Sequence, residues 1–113
     1  MGGKCCVSKN FKKLTSLFKA LAEPNRLTIF RHLCDSESSG AKQTNVNEIK
    51  EFCDVDLSVV SRHLSVLKEA GVLSAEKKGK EVFYSLNGPE VVDLLRKLAD
   101  QIENSSKKGE INE

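Results

Sequence analysis

Four thiols are the first groups in this chain that could do chemistry: an adjacent pair, Cys5-Cys6, then Cys34 and Cys53. Adjacent cysteines rarely close a disulfide on each other, because the ring is strained, but they can chelate one soft ion. Cys5 and Cys6 stand on a polar stretch where packing supplies no reason for them. Cys34 continues a helical stripe with Leu27 and Phe30, so it reads equally well as a small core residue. Cys53 follows Val46, Ile49 and Phe52 and is expected to fill core. The opening Met-Gly-Gly-Lys-Cys-Cys has no apolar run, so no secretory signal is expected. It also lacks the hydroxyl residue of a myristoylation signal. The chain is expected in the cytoplasm, where these groups stay reduced and their roles divide among metal ligation, redox and packing. No Gly-rich phosphate loop, acid–base pair or nucleophile–base signature is present, so no enzyme is expected.

The second chemical set is cationic and hydroxylic. Ser58, Val59, Ser61, Arg62 and Ser65 share one side of a helical pattern whose other side is Val60, Leu64 and Leu67. Small hydroxyl residues let a helix approach a groove wall, and Arg62 can bridge to a guanine edge or a phosphate. Lys68 extends the flank, and Lys77, Lys78 and Lys80 cluster at a turn. From Asp56 to Lys80 there are five basic and three acidic residues. The whole chain carries a net charge of only +2, which excludes a polybasic binder but leaves room for a local patch.

These groups need elements to hold them. At 113 residues the chain suits one domain, and no apolar run approaches a membrane span. A first helix carries Phe11, Leu14, Leu17, Phe18 and Leu21 and stops near Ala22. Pro24 opens a second helix at the position where proline is favoured. The polar run from Asp35 to Asn45 reads as a loop. A short third helix spans Val46 to about Cys53, and Asp56 caps a fourth that ends at Gly71. A hairpin follows, with Val72–Ala75 and Glu81–Leu86 flanking the turn Lys77–Lys80. Asn87 to Glu90 caps a last helix whose apolar set, from Val91 to Ile102, covers more than one face. Such a helix calls for two partners, one of them a second subunit. The expected fold class is mainly α with a small β-hairpin. Residues 1–8 form an arm bearing the cysteine pair, 9–103 the folded domain, and 104–113 a disordered tail.

The third and fourth helices, short and closely joined, have helix-turn-helix geometry, and their residues carry a resemblance. The run from Leu17 to Leu27 (LFKALAEPNRL), the run from Val60 to Leu73 (VSRHLSVLKEAGVL) and the run from Lys78 to Leu86 (KGKEVFYSL) resemble three motifs of the ArsR/SmtB family, in order and at nearly the family's spacing. The similarity covers Phe11 to about Ile102. It implies a winged helix-turn-helix homodimer, joined through its first and last helices. Such a dimer binds an inverted repeat in double-stranded DNA and represses transcription until a metal or metalloid ion releases it. The run from Asp35 to Asn45 is longer than the family's usual connection.

The resemblance also directs attention to the family's sensor positions. The Cys-x-Cys pair at the start of the third helix is Asn45-Val46-Asn47 here. The last helix has Glu90, Asp93, Asp100 and Glu103 but no histidine, a poor zinc set. Some arsenic-sensing members place an N-terminal cysteine pair of one subunit against a third cysteine near the end of the second helix of the other. That likeness implies Cys5, Cys6 and Cys34 as ligands, with Cys53 the alternative third. Three thiolates suit arsenite, and antimonite, bismuth, cadmium or lead would accept similar ligands; no permanently bound cofactor is expected. Two other readings keep the scaffold. One is release by thiol oxidation; the other is a winged-helix protein-interaction module with no duplex preference. His63 is expected to be a structural hydrogen-bonding group and His32 to be solvated.

Overall fold

A computed structural model describes residues 9–40, 43–51 and 53–111. The order is α1 (Lys9–Leu21), α2 (Pro24–Ser38), β1 (Thr44–Asn45), α3 (Val46–Lys50), α4 (Leu57–Glu69), β2 (Leu73–Lys78), β3 (Glu81–Leu86) and α5 (Gly88–Ile111). The strands form an antiparallel sheet in the order β1-β3-β2. It pairs Thr44 with Tyr84 on one side of β3, and Leu73 with Leu86 and Lys78 with Glu81 on the other.

Several helix ends have a local reason. Pro24 occupies the first turn of α2, where its missing N–H costs nothing, and the Glu23 carboxylate accepts from the Arg26 N–H at 2.9 Å. At α3, Asn45 and Glu48 cap each other reciprocally: the Asn45 side chain accepts from the Glu48 N–H and the Glu48 side chain accepts from the Asn45 N–H. Asp56 stands at the N-cap of α4 in extended backbone, but its side chain makes no cap hydrogen bond. At the other end of α4, Gly71 has φ +81°. Its N–H donates to the Lys68 carbonyl and the Val72 N–H to the Leu67 carbonyl, closing the helix in a Schellman arrangement that favours glycine. Gly79, at φ +63°, is the first central residue of the two-residue hairpin turn.

The core lies between α1, α2, α3, α4, the root of the hairpin and the start of α5. Leu17, Ala20, Ile29, Leu33, Ile49, Cys53, Val60, Leu64, Leu67, Val72, Leu73, Val91 and Leu94 are buried together. The expected inner stripe of α4 is therefore buried in full. In α2 the stripe of Ile29 and Leu33 goes inside, while Leu27 stays 41% exposed and Phe30 and Cys34 are half-buried.

Five boundaries differ from the sequence reading. α2 continues through Asp35–Ser38, residues expected in a loop, because Glu37 finds a distant partner: its carboxylate accepts from the Leu86 N–H at 2.8 Å. Thr44 and Asn45 form a strand on the free edge of β3 rather than the end of that loop. α3 closes at Lys50, short of Cys53, and the hairpin turn is Gly79-Lys80, with Lys77 and Lys78 inside β2. Helical backbone also runs on to Ile111, through most of the segment expected as a tail. No proline interrupts it, and each added residue needs only one further backbone bond.

Candidate nucleic-acid interface and thiol positions

The outer face of α4 presents Ser58, Ser61, Arg62, Ser65 and Lys68, all exposed, opposite the buried Val60, Leu64 and Leu67. Val59, placed on the same face by the sequence reading, is half-buried. The hairpin projects beside this helix. Its three lysines do not act alike. All three are exposed, Lys77 and Lys78 within β2 and Lys80 in the turn. Lys78 donates to the Gln43 side chain at 2.8 Å and lies 5.7 Å from the centre of the Phe83 ring. Gln43 in turn donates to Glu76 at 2.7 Å, so Lys78 and Glu76 of β2 together hold the residue that precedes β1.

Between the α4 face and the wing lies a cleft of about 240 Å³, bordered by Asn47, Ser61, Lys80, Val82 and Tyr84 among others. Burial pushes the Tyr84 phenol above its ordinary value, so near neutral pH its hydroxyl keeps its proton. Hydroxyls, amides and an ammonium around a cleft beside an exposed helix can serve base edges and phosphates, while the Glu81 carboxylate on the same border disfavours a phosphate next to it.

A polar cluster lies where α4 meets the α1–α2 corner. The Arg26 guanidinium donates through Nε to the Ala20 carbonyl at 2.6 Å and through Nη2 to the Lys19 carbonyl at 3.3 Å. These are last-turn carbonyls of α1, and that of Lys19 also accepts from the Ala22 N–H at 3.4 Å. Nη1 reaches His63 Nδ1 at 3.5 Å. Arginine only donates, so this contact is a hydrogen bond where Nδ1 accepts; the other ring nitrogen, Nε2, lies 3.8 Å from Glu23 Oε1. His63 thus joins α4 to the α1–α2 corner, a structural role. The sequence reading quoted Glu23 and Arg26 only as parts of a motif. His32 is half-buried rather than solvated.

Cys5 and Cys6 lie outside the described residues. Cys34 is half-buried in the last turns of α2. Burial, then the Asp35 and Glu37 carboxylates, push its thiol above the usual value. Cys53 is buried in the core at 7% exposure. Burial, then Glu23, raise its thiol, and Lys50 opposes them in part. Among the described residues no three His, Cys, Asp or Glu side chains gather closely enough to hold a metal ion. On α5, Glu90 pairs with Lys13 at 3.2 Å and Asp93 with Lys97 at 3.3 Å, while Asp100 and Glu103 are exposed.

α1 and α5 each carry two apolar stripes. Leu17 and Ala20, with Val91 and Leu94, face the core. Phe11 and Phe18 on α1, and Val92, Leu95 and Ile102 on α5, are 41–58% exposed. These large side chains recur at helical spacing on the two helices expected to join subunits. No described helix is long and apolar enough to cross a membrane.

Comparison with known proteins agrees with this geometry. Residues 21–74 match a helix-turn-helix domain family. The chain is 36% identical over 88 residues to the arsenical resistance operon repressor of Bacillus subtilis, covering 78% of this chain and 79% of that one. It is 34% identical over 95 residues to the transcriptional activator HlyU of Vibrio cholerae, covering 81% and 82%. A solved structure from Mycobacterium bovis superposes with a TM-score of 0.60 at 26% identity, over 80% of this chain and 81% of that one. It is a homodimeric winged helix-turn-helix DNA-binding domain of a possible ArsR-family transcriptional regulator.

Proposed function

Because the chain belongs to the ArsR/SmtB family of winged-helix DNA-binding regulators, transcription factors and not enzymes, we propose that it represses a metal(loid)-resistance operon and leaves its operator when arsenite binds cysteine thiolates. The dimer holds two copies of α4 over an inverted repeat, with Ser58, Ser61, Arg62 and Ser65 on base edges and phosphates. Val59 touches the groove only at its exposed edge. Lys68, Lys77 and Lys80 meet the backbone, and Lys78 holds Gln43. Cys5 and Cys6 of one subunit and Cys34 of the other take the ion, which has no permanent cofactor to displace.

The observation that carries the choice of ligands is the contrast between the two described thiols. Cys34 stands half-buried near a helix end, whereas Cys53 is packed among Ile49, Val60 and their neighbours. Drawing Cys53 out would open a cavity in the core; reaching Cys34 requires no such rearrangement. The likeness to an arsenical resistance repressor supports the same ion. Binding at that position ties an arm to the end of α2 and shifts the dimer toward a half-site spacing that the operator does not match. A coupling of about 3 kcal/mol would weaken DNA binding more than a hundredfold. Antimonite, bismuth, cadmium and lead are competing inducers of the same chemistry.

Fluorescence anisotropy of the reduced protein on the inverted repeat upstream of its own gene, with and without arsenite, tests the reading. Tight, salt-dependent binding that arsenite abolishes supports it. Cys5→Ser with Cys6→Ser should keep DNA affinity and lose the response, and so should Cys34→Ser; Cys53→Ser should keep both. A response that survives the double substitution removes the arm from the site. Release by peroxide without any ion would replace ligation with oxidation as the trigger. Binding that shows no preference among duplexes would leave only the interaction-module reading.

A further inference from the structure

α5 makes its extensive contacts with α1. Between α5 and the C-terminal end of α4 lies a cavity of about 280 Å³, bordered by Leu17, Ala70, Gly71, Val91 and Leu94 among others, with the Lys13–Glu90 ion pair at its edge. Apolar packing in the shared core, with Leu67 and Val72 beside Val91 and Leu94, joins the end of the DNA-facing helix to the helix that carries the subunit stripe but supplies no directional link.

Hydrogen bonds from one residue supply that link. Asn87, half-buried, stands between β3 and α5. Its N–H donates to the Val72 carbonyl at 2.9 Å and its carbonyl accepts from the Val91 N–H at 3.1 Å. Its side-chain Nδ2 donates to the Gly71 carbonyl at 2.9 Å, and Oδ1 accepts from the Ser74 hydroxyl. One residue thus grips the glycine that closes α4, the root of the wing at β2, and the first turn of α5. Both ends of its amide are engaged, and with different elements.

We propose that Asn87 is the positioning residue that fixes each DNA-facing helix to the dimer helix, and so sets the half-site spacing the dimer accepts. The inference rests on the DNA-binding reading above, but not on which ion releases the protein. Adding one base pair between half-sites moves the second major groove along the duplex by roughly 3.4 Å and turns it by roughly 35°. Heads held rigidly to α5 reject that duplex. Heads whose link to α5 is loosened can follow it.

The test is Asn87→Asp, which keeps the size, the backbone bond to Val91 and the acceptor for Ser74 but removes the donor to Gly71. Ser74→Ala is a second variant, deleting only the bond to the wing root and leaving the α4 and α5 bonds in place. Anisotropy titrations would use the inverted repeat upstream of the gene and the same duplex with one central base pair added, on protein shown to be dimeric by sedimentation. The unsubstituted chain should prefer the native spacing by about 100-fold, and Asn87→Asp by less than about tenfold, with affinity for the native spacing reduced by less than about tenfold. Ser74→Ala should fall between. Equal weakening on both duplexes, or unchanged discrimination in both variants, overturns the proposal. If the unsubstituted chain binds neither duplex, the DNA-binding reading fails and takes this inference with it.

Discussion

Replacing Arg26 with alanine removes a guanidinium that holds two helices and touches a third. The bond from Nε to the Ala20 carbonyl is 2.6 Å long and partly buried, and the bond from Nη2 to the Lys19 carbonyl is 3.3 Å and exposed. A hydrogen bond from a charged donor is worth about 1.5–3 kcal/mol net. The short bond falls in that range. The exposed, longer one adds roughly 0.5 kcal/mol at most, as solvent competes for both partners. The contact with His63, at 3.5 Å, adds little energy of its own. Arg26→Ala should therefore lose about 2–3 kcal/mol, which for a domain of this size lowers Tm by about 8–12 °C. Arg26→Lys keeps a charge but loses the fork that serves two carbonyls, and should recover about half of the loss. The assay is urea denaturation of all three proteins at one fixed concentration, since dimer assembly contributes to apparent stability. A loss under about 0.5 kcal/mol for Arg26→Ala, or a lysine variant as stable as the original, would refute the claim that Arg26 secures the α1–α2 corner.

Three shorter predictions accompany it. Arg62→Ala should cost about 1–3 kcal/mol of operator affinity; mutated operators scored by anisotropy will separate a base contact, which relaxes preference at one position, from a phosphate contact, which lowers the salt slope. Leu95→Glu places a charge in the exposed stripe of α5; sedimentation should find monomers, and DNA affinity at nanomolar protein should fall at least about tenfold because the two half-sites are no longer read together. The raised thiol of Cys53 stays protonated in the fold to higher pH than in the unfolded chain. Its contribution is fully present below the ordinary thiol range and is lost as pH rises through and above it. Urea midpoints should therefore fall across that alkaline window, and by less in Cys53→Ala.

The elements that organise the DNA face were legible because their signals are local. The stripe of Val60, Leu64 and Leu67, the closing glycine at Gly71 and the proline at the start of α2 each act within one or two turns. What escaped depends on partners far along the chain. Asp35–Ser38 reads as loop until Glu37 meets the backbone of Leu86. β1 is two residues long, too short for any alternation to declare it. Lys78 looks like its neighbours Lys77 and Lys80 until Gln43 and Phe83 claim it. Arg26 bonds to carbonyls, which every residue has, so its side chain leaves no trace in the partner sequence. One missed feature did carry a signal: Asn45 and Glu48, three apart before an apolar position, spell the reciprocal cap that starts α3.

With subunits paired through the outward stripes of α1 and α5, as in the proposed reading, protein supply governs occupancy of the DNA. Where free chains outnumber pairs, the concentration of pairs follows the square of the chain concentration, by mass action. Halving the supply then lowers the DNA-competent species fourfold. A single-site repressor of this build has a threshold without any contact between neighbouring operators. Modest dilution of the protein, as in a growing cell, would release the operator more sharply than the affinity of the pair for DNA suggests.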